Sequence, residues 1–218
     1  MRRQMGGCLP DSRVSASLED FIRTRLVLEP VRLRPDISLY RPTPQSGLTG
    51  FLAEHDCADE PPYWAYMWAG GVALALYLRD HPERVAGRNV LDFGAGSGLV
   101  GIAAAKAGAG RVLAFEPDPL GRIALRFNAE ANEVEIGLSD AVEKPDIVLA
   151  GDVFYDAEVA ASTLPVLSAY AANGANVLVG DPFRAALPLS VLEQIAEYAV
   201  PDMGSGALVQ AGVFALRG

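Results

Sequence analysis

The stretch VLDFGAGSGLVG, Val90 to Gly101, runs from an apolar strand through an acid into a turn with glycine at 94, 96 and 98, then into an apolar helix start. Glycine supplies positive φ and close backbone approach, and a helix beginning near Leu99 points its first amides at whatever occupies the turn. The chain alternates from there. RNVLDF, RVLAFE, PDIVLAGDVF and ANVLVGD read as strands, while LVGIAAAKAG, PLGRIALRFNAEAN, AEVAASTLPVLSAY and LSVLEQIAEYA read as helices. Such a βαβα series predicts an α/β fold, a Rossmann-like doubly wound sheet that is mostly parallel with helices on both faces. A short strand is expected near Glu133 to Gly137, and GALVQAGVFALRG reads as one or two terminal strands.

Upstream, LEDFIRTRLVL suits an amphipathic helix over Leu18–Leu28, with Ser17 and Asp20 placed like the halves of a capping box. Prolines at 30, 35, 42, 44, 61 and 62 then punctuate a mostly non-helical cover segment. YWAYMWAGGVALALYLRD becomes a helix near Ala69 and ends before Pro82. The division expected is a flexible tail at 1–17, an N-terminal helix and cover at 18–60, and a catalytic domain at 61–218.

With 218 residues, half of them hydrophobic, the chain can bury one sizeable core. Its net charge of -9 offers no broad cationic face to a phosphate backbone, which argues against nucleic acid and favours basic protein surfaces. No segment reaches the ~18 apolar residues of a membrane span. A cytoplasmic monomer is expected, or a mitochondrial matrix protein in a eukaryotic source, since the arginines and serines of the first residues also suit a transit peptide. Cys8 and Cys57 are far apart and form no C-x-x-C pair, so neither a disulfide framework nor a zinc ribbon is indicated and reduced thiols are expected. His55 and His81 have no partner at ligand spacing, and no metal site is expected. Ser97 lacks the flanking glycines of a nucleophile elbow.

The glycine turn fits two templates. Gly96 to Gly101 is a literal G-x-G-x-x-G, the dinucleotide fingerprint, and Asp92 to Gly98 is the acidic-x-G-x-G-x-G of S-adenosylmethionine sites. A dinucleotide brings a pyrophosphate that an adjacent acid would repel, whereas S-adenosylmethionine carries an ammonium and a sulfonium that an acid attracts. The residues after Gly101 are also used up in completing one sheet, with none left for a dehydrogenase's substrate domain. S-adenosylmethionine is therefore the expected cofactor, with Asp92, Gly94, Gly96 and Gly98 at its methionyl end. Glu116 at the next strand end is positioned for the ribose hydroxyls, and Asp140 is a candidate beside the adenine. Asp92 has a structural alternative, capping a nearby backbone turn, and Gly101 is read as a small residue for close helix–strand packing.

LAGDVFYD, Leu149 to Asp156, ends the fourth strand of the series, so Asp152, Phe154 and Tyr155 should border the same crevice. Methyl transfer from a sulfonium is an in-line displacement that needs a neutral nucleophile. For a lysine of ordinary pKa only roughly one amine in a thousand is neutral near pH 7. A carboxylate such as Asp152 can orient the ammonium, and the nearby sulfonium then favours proton loss. Tyr155, with Phe154 or Trp68, can present π faces to the cation. Phe154 has a core-packing alternative, as has one of Trp64 and Trp68, which are spaced like one helical face.

VLDFGAGSG with AFEPD resembles the class I S-adenosylmethionine-dependent methyltransferases. That likeness implies a seven-stranded sheet with the last strand antiparallel. PYWAYMWAGGVALALYL, Asp152-Val153-Phe154-Tyr155 and VLVGDPFR resemble the seven-strand protein lysine methyltransferases, and within them the enzymes that methylate the β-subunit of electron transfer flavoprotein. The resemblance runs from about Leu26 into the C-terminal strands. It implies that Trp68, Gly70 and Gly71 border the cofactor, that Asp92, Gly94, Gly96 and Glu116 hold it, and that Asp152 and Tyr155 serve the acceptor lysine. The alternatives are a ribosomal protein or a small amine as acceptor, and a catalytically silent cofactor-binding module that docks on a partner.

Overall fold

A computed structural model describes residues 12–58, 61–139, 144–203 and 206–217. The helices are α1 (Ser12–Arg25), α2 (Leu48–Glu54), α3 (Ala69–Asp80), α4 (Leu99–Lys106), α5 (Pro119–Ala131) and α6 (Ala157–Ala172). The strands are β1 (Val27–Val31), β2 (Arg34–Arg41), β3 (Asn89–Phe93), β4 (Arg111–Phe115), β5 (Gly137–Leu138), β6 (Ile147–Gly151), β7 (Asn176–Asp181), β8 (Leu192–Pro201) and β9 (Leu208–Leu216).

Seven strands form one sheet in the order β5-β4-β3-β6-β7-β9-β8. β3 pairs in parallel with β4 on one side and β6 on the other, and β6 pairs in parallel with β7. β9 runs antiparallel to both β7 and β8. The order reverses between β3 and β6, which opens a crevice beyond their carboxyl ends, where ligands bind in such sheets. Buried Ala, Val and Leu of α3 and α4 close one face over Val90, Ile147 and Leu149, while Phe154, Leu167, Val177 and Phe214 fill the other face beneath α6.

One predicted helix is a strand. In LSVLEQIAEYA the apolar residues Leu192, Ile195, Ala196 and Ala199 recur at helical spacing, yet the segment forms β8, paired with β9 from Leu192 to Pro201 around a bulge at Gln194/Ala196. An otherwise unpaired edge on β9 and the flank of α3 are both satisfied by an extended chain. Ladder bonds and packing thus override a weak local propensity.

The cover segment is more regular than its prolines suggested. α1 begins at Ser12, so Ser17 and Asp20 lie inside it rather than at its cap. β1 and β2 form an antiparallel hairpin. Two asparagines four residues apart, Asn128 on α5 and Asn132 at its C-terminal cap, hold that hairpin. Asn132 Oδ1 accepts from the Ser38 N–H at 2.9 Å and its Nδ2 donates to the Ser38 carbonyl at 2.6 Å, while Asn128 Oδ1 accepts from the Tyr40 N–H at 2.8 Å. Leu18, Phe21, Ile22, Leu52, Trp64 and Phe127 pack together beneath the cover. The expectation of reduced thiols fails at Cys57, which is disulfide-bonded. Among the described residues no helix is long and apolar enough to cross a membrane.

Candidate functional site

The glycine turn is built as its spacing required. Gly94, Gly96 and Gly98 have φ of 72°, 52° and 82°, a region that side-chain-bearing residues rarely adopt. Gly98 closes the turn as the left-handed cap of α4, and a methyl there would press within 3.0 Å of Leu125. Gly96 faces open space: a methyl on it would meet only the Trp64 Cα, at 3.9 Å. Asn128, 1% exposed, donates from Nδ2 to the Ser97 carbonyl at 2.8 Å. One side chain therefore ties the hairpin to the turn.

Asp92 is 1% exposed, and its Oδ2 accepts from the Gly101 N–H at 2.8 Å. The capping alternative is thus realised at that oxygen, which braces the first turn of α4. A methyl on Gly101 would come within 3.0 Å of the same oxygen, as expected for a close-packing glycine. Burial pushes the Asp92 carboxyl up to about 7, against the pull of the Gly101 amide, and nearby Glu116 adds to the rise. Glu116, after β4, accepts from Gly96 N–H at 2.5 Å through Oε2 and from Asp118 N–H at 2.9 Å through Oε1. Burial raises its carboxyl above the ordinary range while those two amides hold it down. The glycine turn and the ribose candidate are one bonded unit. Asp140 lies outside the described residues.

Asp152 follows β6 with φ of 58°, an unusual value for a residue with a side chain. Its N–H donates to the Gly180 carbonyl at 2.8 Å. The carboxylate turns toward the start of α3, where Oδ2 accepts from the Gly71 N–H at 2.7 Å. Helix N-termini favour anions through their free amides and dipole. That approach needs glycine on both sides: a methyl on Gly70 would fall 2.1 Å from the Gly180 carbonyl oxygen, and one on Gly151 2.9 Å from the Gly71 Cα. Burial raises the Asp152 carboxyl, opposed by the charge and hydrogen bond of Arg184.

Arg184 pairs through Nη1 with Asp152 Oδ1 and lies 3.7 Å from Asp181 Oδ2. Its guanidinium carbon is 5.9 Å from the Trp68 ring centre. Trp68 donates from Nε1 to the Tyr63 carbonyl at 2.8 Å, and the Tyr63 ring lies 5.7 Å from Trp68 and 5.2 Å from Tyr155. An aromatic wall thus stands over the Asp152–Arg184 pair. Val153, next to Asp152, would touch a methyl on Gly94 at 3.1 Å, so the two crevice motifs abut.

Of the residues named from the sequence, Gly94, Gly96, Gly98, Asp92 and Glu116 gather at the turn, and Asp152, Tyr155 and Trp68 gather at the neighbouring strand end. Gly70 is buried against Gly180 and Asp152, so its place is in the helix–sheet contact. Phe154 is fully buried beneath α6 and Trp64 is 2% exposed in the N-terminal cluster, which settles both for the core. Sequence reasoning missed Tyr63, Asp181 and Arg184. The signal for the last two was present in VLVGDPFR, where an acid and a cation close an apolar strand.

A family model described as ribosomal protein L11 methyltransferase (PrmA) matches residues 73–160. The electron transfer flavoprotein beta subunit lysine methyltransferase of Rattus norvegicus is 34% identical over 212 residues, covering 92% of this chain and 81% of that protein. The Homo sapiens protein of the same name is 36% identical over 186 residues, covering 82% and 70%. Among solved structures, the magnesium protoporphyrin IX methyltransferase of Synechocystis with bound SAM superposes with a TM-score of 0.50 at 16% identity, covering 68% of this chain and 78% of that one. The expected sheet, seven-stranded and mostly parallel with its last strand antiparallel, is the one observed, and that last strand lies inside β8. By sequence likeness over most of its length, the chain belongs to the electron transfer flavoprotein β-subunit lysine methyltransferase family.

Proposed function

We propose that the protein transfers a methyl group from S-adenosylmethionine to a lysine of the electron transfer flavoprotein β-subunit. The observation that carries this reading is the abutment of two acid-lined features on one sheet edge: the Gly94–Gly98 turn with Glu116, and Asp152 beneath an aromatic wall. The turn suits the cofactor, because Gly96 leaves room beside it and Glu116 keeps lone pairs for ribose hydroxyls after accepting two amides. Asp92 supports the turn through α4 and contributes a negative potential toward the methionyl ammonium.

Bound there, the sulfonium supplies an electrophilic methyl group. Asp152 and the aromatic rings align the lysine amine, which gives up a proton to solvent, and its lone pair forms the C–N bond as the C–S bond breaks. The departing species is S-adenosylhomocysteine. Tyr155 and Tyr63, 43% and 39% exposed, stand where a protein chain can reach, which favours a protein over a small amine as acceptor.

The test is incubation of the purified protein with S-adenosylmethionine and recombinant electron transfer flavoprotein β-subunit, followed by peptide mass spectrometry. A lysine gaining 14 mass units per methyl (~14 Da) in the β-subunit supports the reading. Label on a ribosomal protein in a lysate, with none on the β-subunit, would replace this acceptor. The family model that names ribosomal protein L11 matches residues 73–160, which carry the glycine turn together with Asp152 and Tyr155 but not Trp68, Asp181 or Arg184.

A further inference from the structure

Asp152 is not free to receive a lysine. Its Oδ1 holds Arg184 and its Oδ2 holds the Gly71 amide. Both carboxylate oxygens are engaged, and the incoming ammonium would meet a neutralised acid with a second cation beside it. Yet the surroundings carry more negative charge than Arg184 balances. Asp181 accepts the Arg184 N–H through Oδ1 at 2.7 Å, and its Oδ2 is buried without any hydrogen-bond partner. Asp202, whose Oδ1 accepts from the Ala69 N–H at 3.2 Å, adds a third acid whose charge reaches Arg184. A buried carboxylate oxygen left without a hydrogen bond, its nearest cation 3.7 Å away, is uncommon and needs a reason.

We propose that Arg184 is a resident cation of the lysine site, paired with Asp152 and transferred to Asp181 when lysine enters. The inference rests on the reading of Asp152 as the acceptor-lysine residue. Three observations carry it. Arg184 Nη1 stands 3.7 Å from Asp181 Oδ2, so a shift of roughly 0.8 Å completes a charge-assisted bond. Its side chain is 20% exposed whereas those of Asp152 and Asp181 are 8% and 0% exposed, so of the three groups the arginine is the one solvent reaches most. It also lies 5.9 Å from the Trp68 ring, the position a lysine cation would take against that wall.

After the handover two acids hold two cations, Asp181 with Arg184 and Asp152 with lysine. No covalent bond is made or broken in this step. The arrangement selects against neutral acceptors, because only a cation compensates Asp152 for the arginine it releases. The lysine then faces both Arg184 and the donor's sulfonium, each of which disfavours its proton.

The test is a two-by-two set, Asp181→Asn, Arg184→Gln and the double variant, in steady-state transfer to the electron transfer flavoprotein β-subunit, with cofactor-site integrity checked by S-adenosylhomocysteine calorimetry. Asp181→Asn removes the receiving acid and should raise KM for the acceptor about tenfold, more than it lowers kcat. In the Arg184→Gln background the same change should move KM less than about twofold, because Asp181 acts on lysine only through Arg184. Arg184→Lys should restore the dependence on Asp181. An equal effect of Asp181→Asn in both backgrounds overturns the proposal.

A second arm needs no protein acceptor. With S-adenosylhomocysteine bound, n-butylammonium as a probe of the lysine side chain should shift the Arg184 guanidinium resonances in wild-type protein and not in Asp181→Asn. Unmoved resonances under a probe that demonstrably binds also overturn it. Failure of wild-type protein to methylate the β-subunit, with the resonance shift intact, would instead remove the acceptor assignment and leave the handover standing.

Discussion

Replacing Asp92 by asparagine keeps an oxygen within reach of the Gly101 amide and removes a charge on a group only 1% exposed. Burial lifts the folded carboxyl from 3.8 to about 7. At 1.36 kcal/mol per unit, a rise of about three units corresponds to ~4 kcal/mol. The sign follows from proton counting: the folded chain binds the extra proton, so the contribution is full below about pH 4 and is lost as pH climbs through about 7. At pH 8 the wild type has lost it, while asparagine is neutral throughout. Asp92→Asn should therefore be the more stable protein at pH 8, by up to ~4 kcal/mol, with the gap narrowing toward pH 5. Urea unfolding of both proteins across that range, at matched m-values, reads the difference directly. The same variant should bind S-adenosylhomocysteine, which retains the ammonium, about tenfold more weakly at pH 8. A gap that does not change with pH, or a less stable Asp92→Asn at pH 8, refutes the reasoning, because the Gly101 amide would then outweigh the cost of burying the charge.

Gly70→Ala places a methyl 2.1 Å from the Gly180 carbonyl oxygen, backbone against backbone, and should cost ~3 kcal/mol of stability with near-complete loss of transfer, measured by denaturant melts and initial rates. Asn128→Ala strips a partner from the Tyr40 N–H and from the Ser97 carbonyl, and should cost ~2 to 4 kcal/mol while weakening S-adenosylhomocysteine binding in calorimetry. Tyr155→Ala removes a 43% exposed ring, so the melting temperature and cofactor affinity should hold while KM for the acceptor rises roughly threefold to thirtyfold.

Strands β3, β4 and β6 were legible because each is short, apolar and followed by a helix with its own start signal. Asp118 and Asp156 cap α5 and α6 by accepting from Leu120 and Val159 at 2.8 Å. β8 was not legible, because its apolar residues fall at helical spacing and its strand character comes from pairing with β9, a partner later in the chain. The hairpin was obscured in the same way: prolines at 30 and 35 sit within a two-stranded ribbon, where edge positions tolerate a missing N–H. At the site, the glycine turn and the strand-end acids could be named because spacing dictates them. Whether an acid is already paired cannot be read from spacing, and that is why Arg184, 32 residues beyond Asp152, went unassigned.

The two halves of the site also differ in how they depend on the core. The glycine turn is held by side-chain hydrogen bonds, the Gly96 N–H donating to Glu116 and Asn128 donating to the Ser97 carbonyl, so its shape is set by polar side chains on β4's exit and on α5. Asp152 is held by one side chain, Arg184, and by close backbone contact, since Gly70 and Gly71 let α3 settle onto Gly180 and Gly151 closely enough for a helix amide to reach the carboxylate. That amide and the Arg184 guanidinium are what make a buried, left-handed aspartate tolerable at the end of β6. An acid that also holds a helix amide keeps that hydrogen bond when the arginine leaves. The larger share of its compensation, which Arg184 supplies, is then open to an incoming cation, so the close packing of α3 on the sheet is a condition of exchanging one cation for another at Asp152.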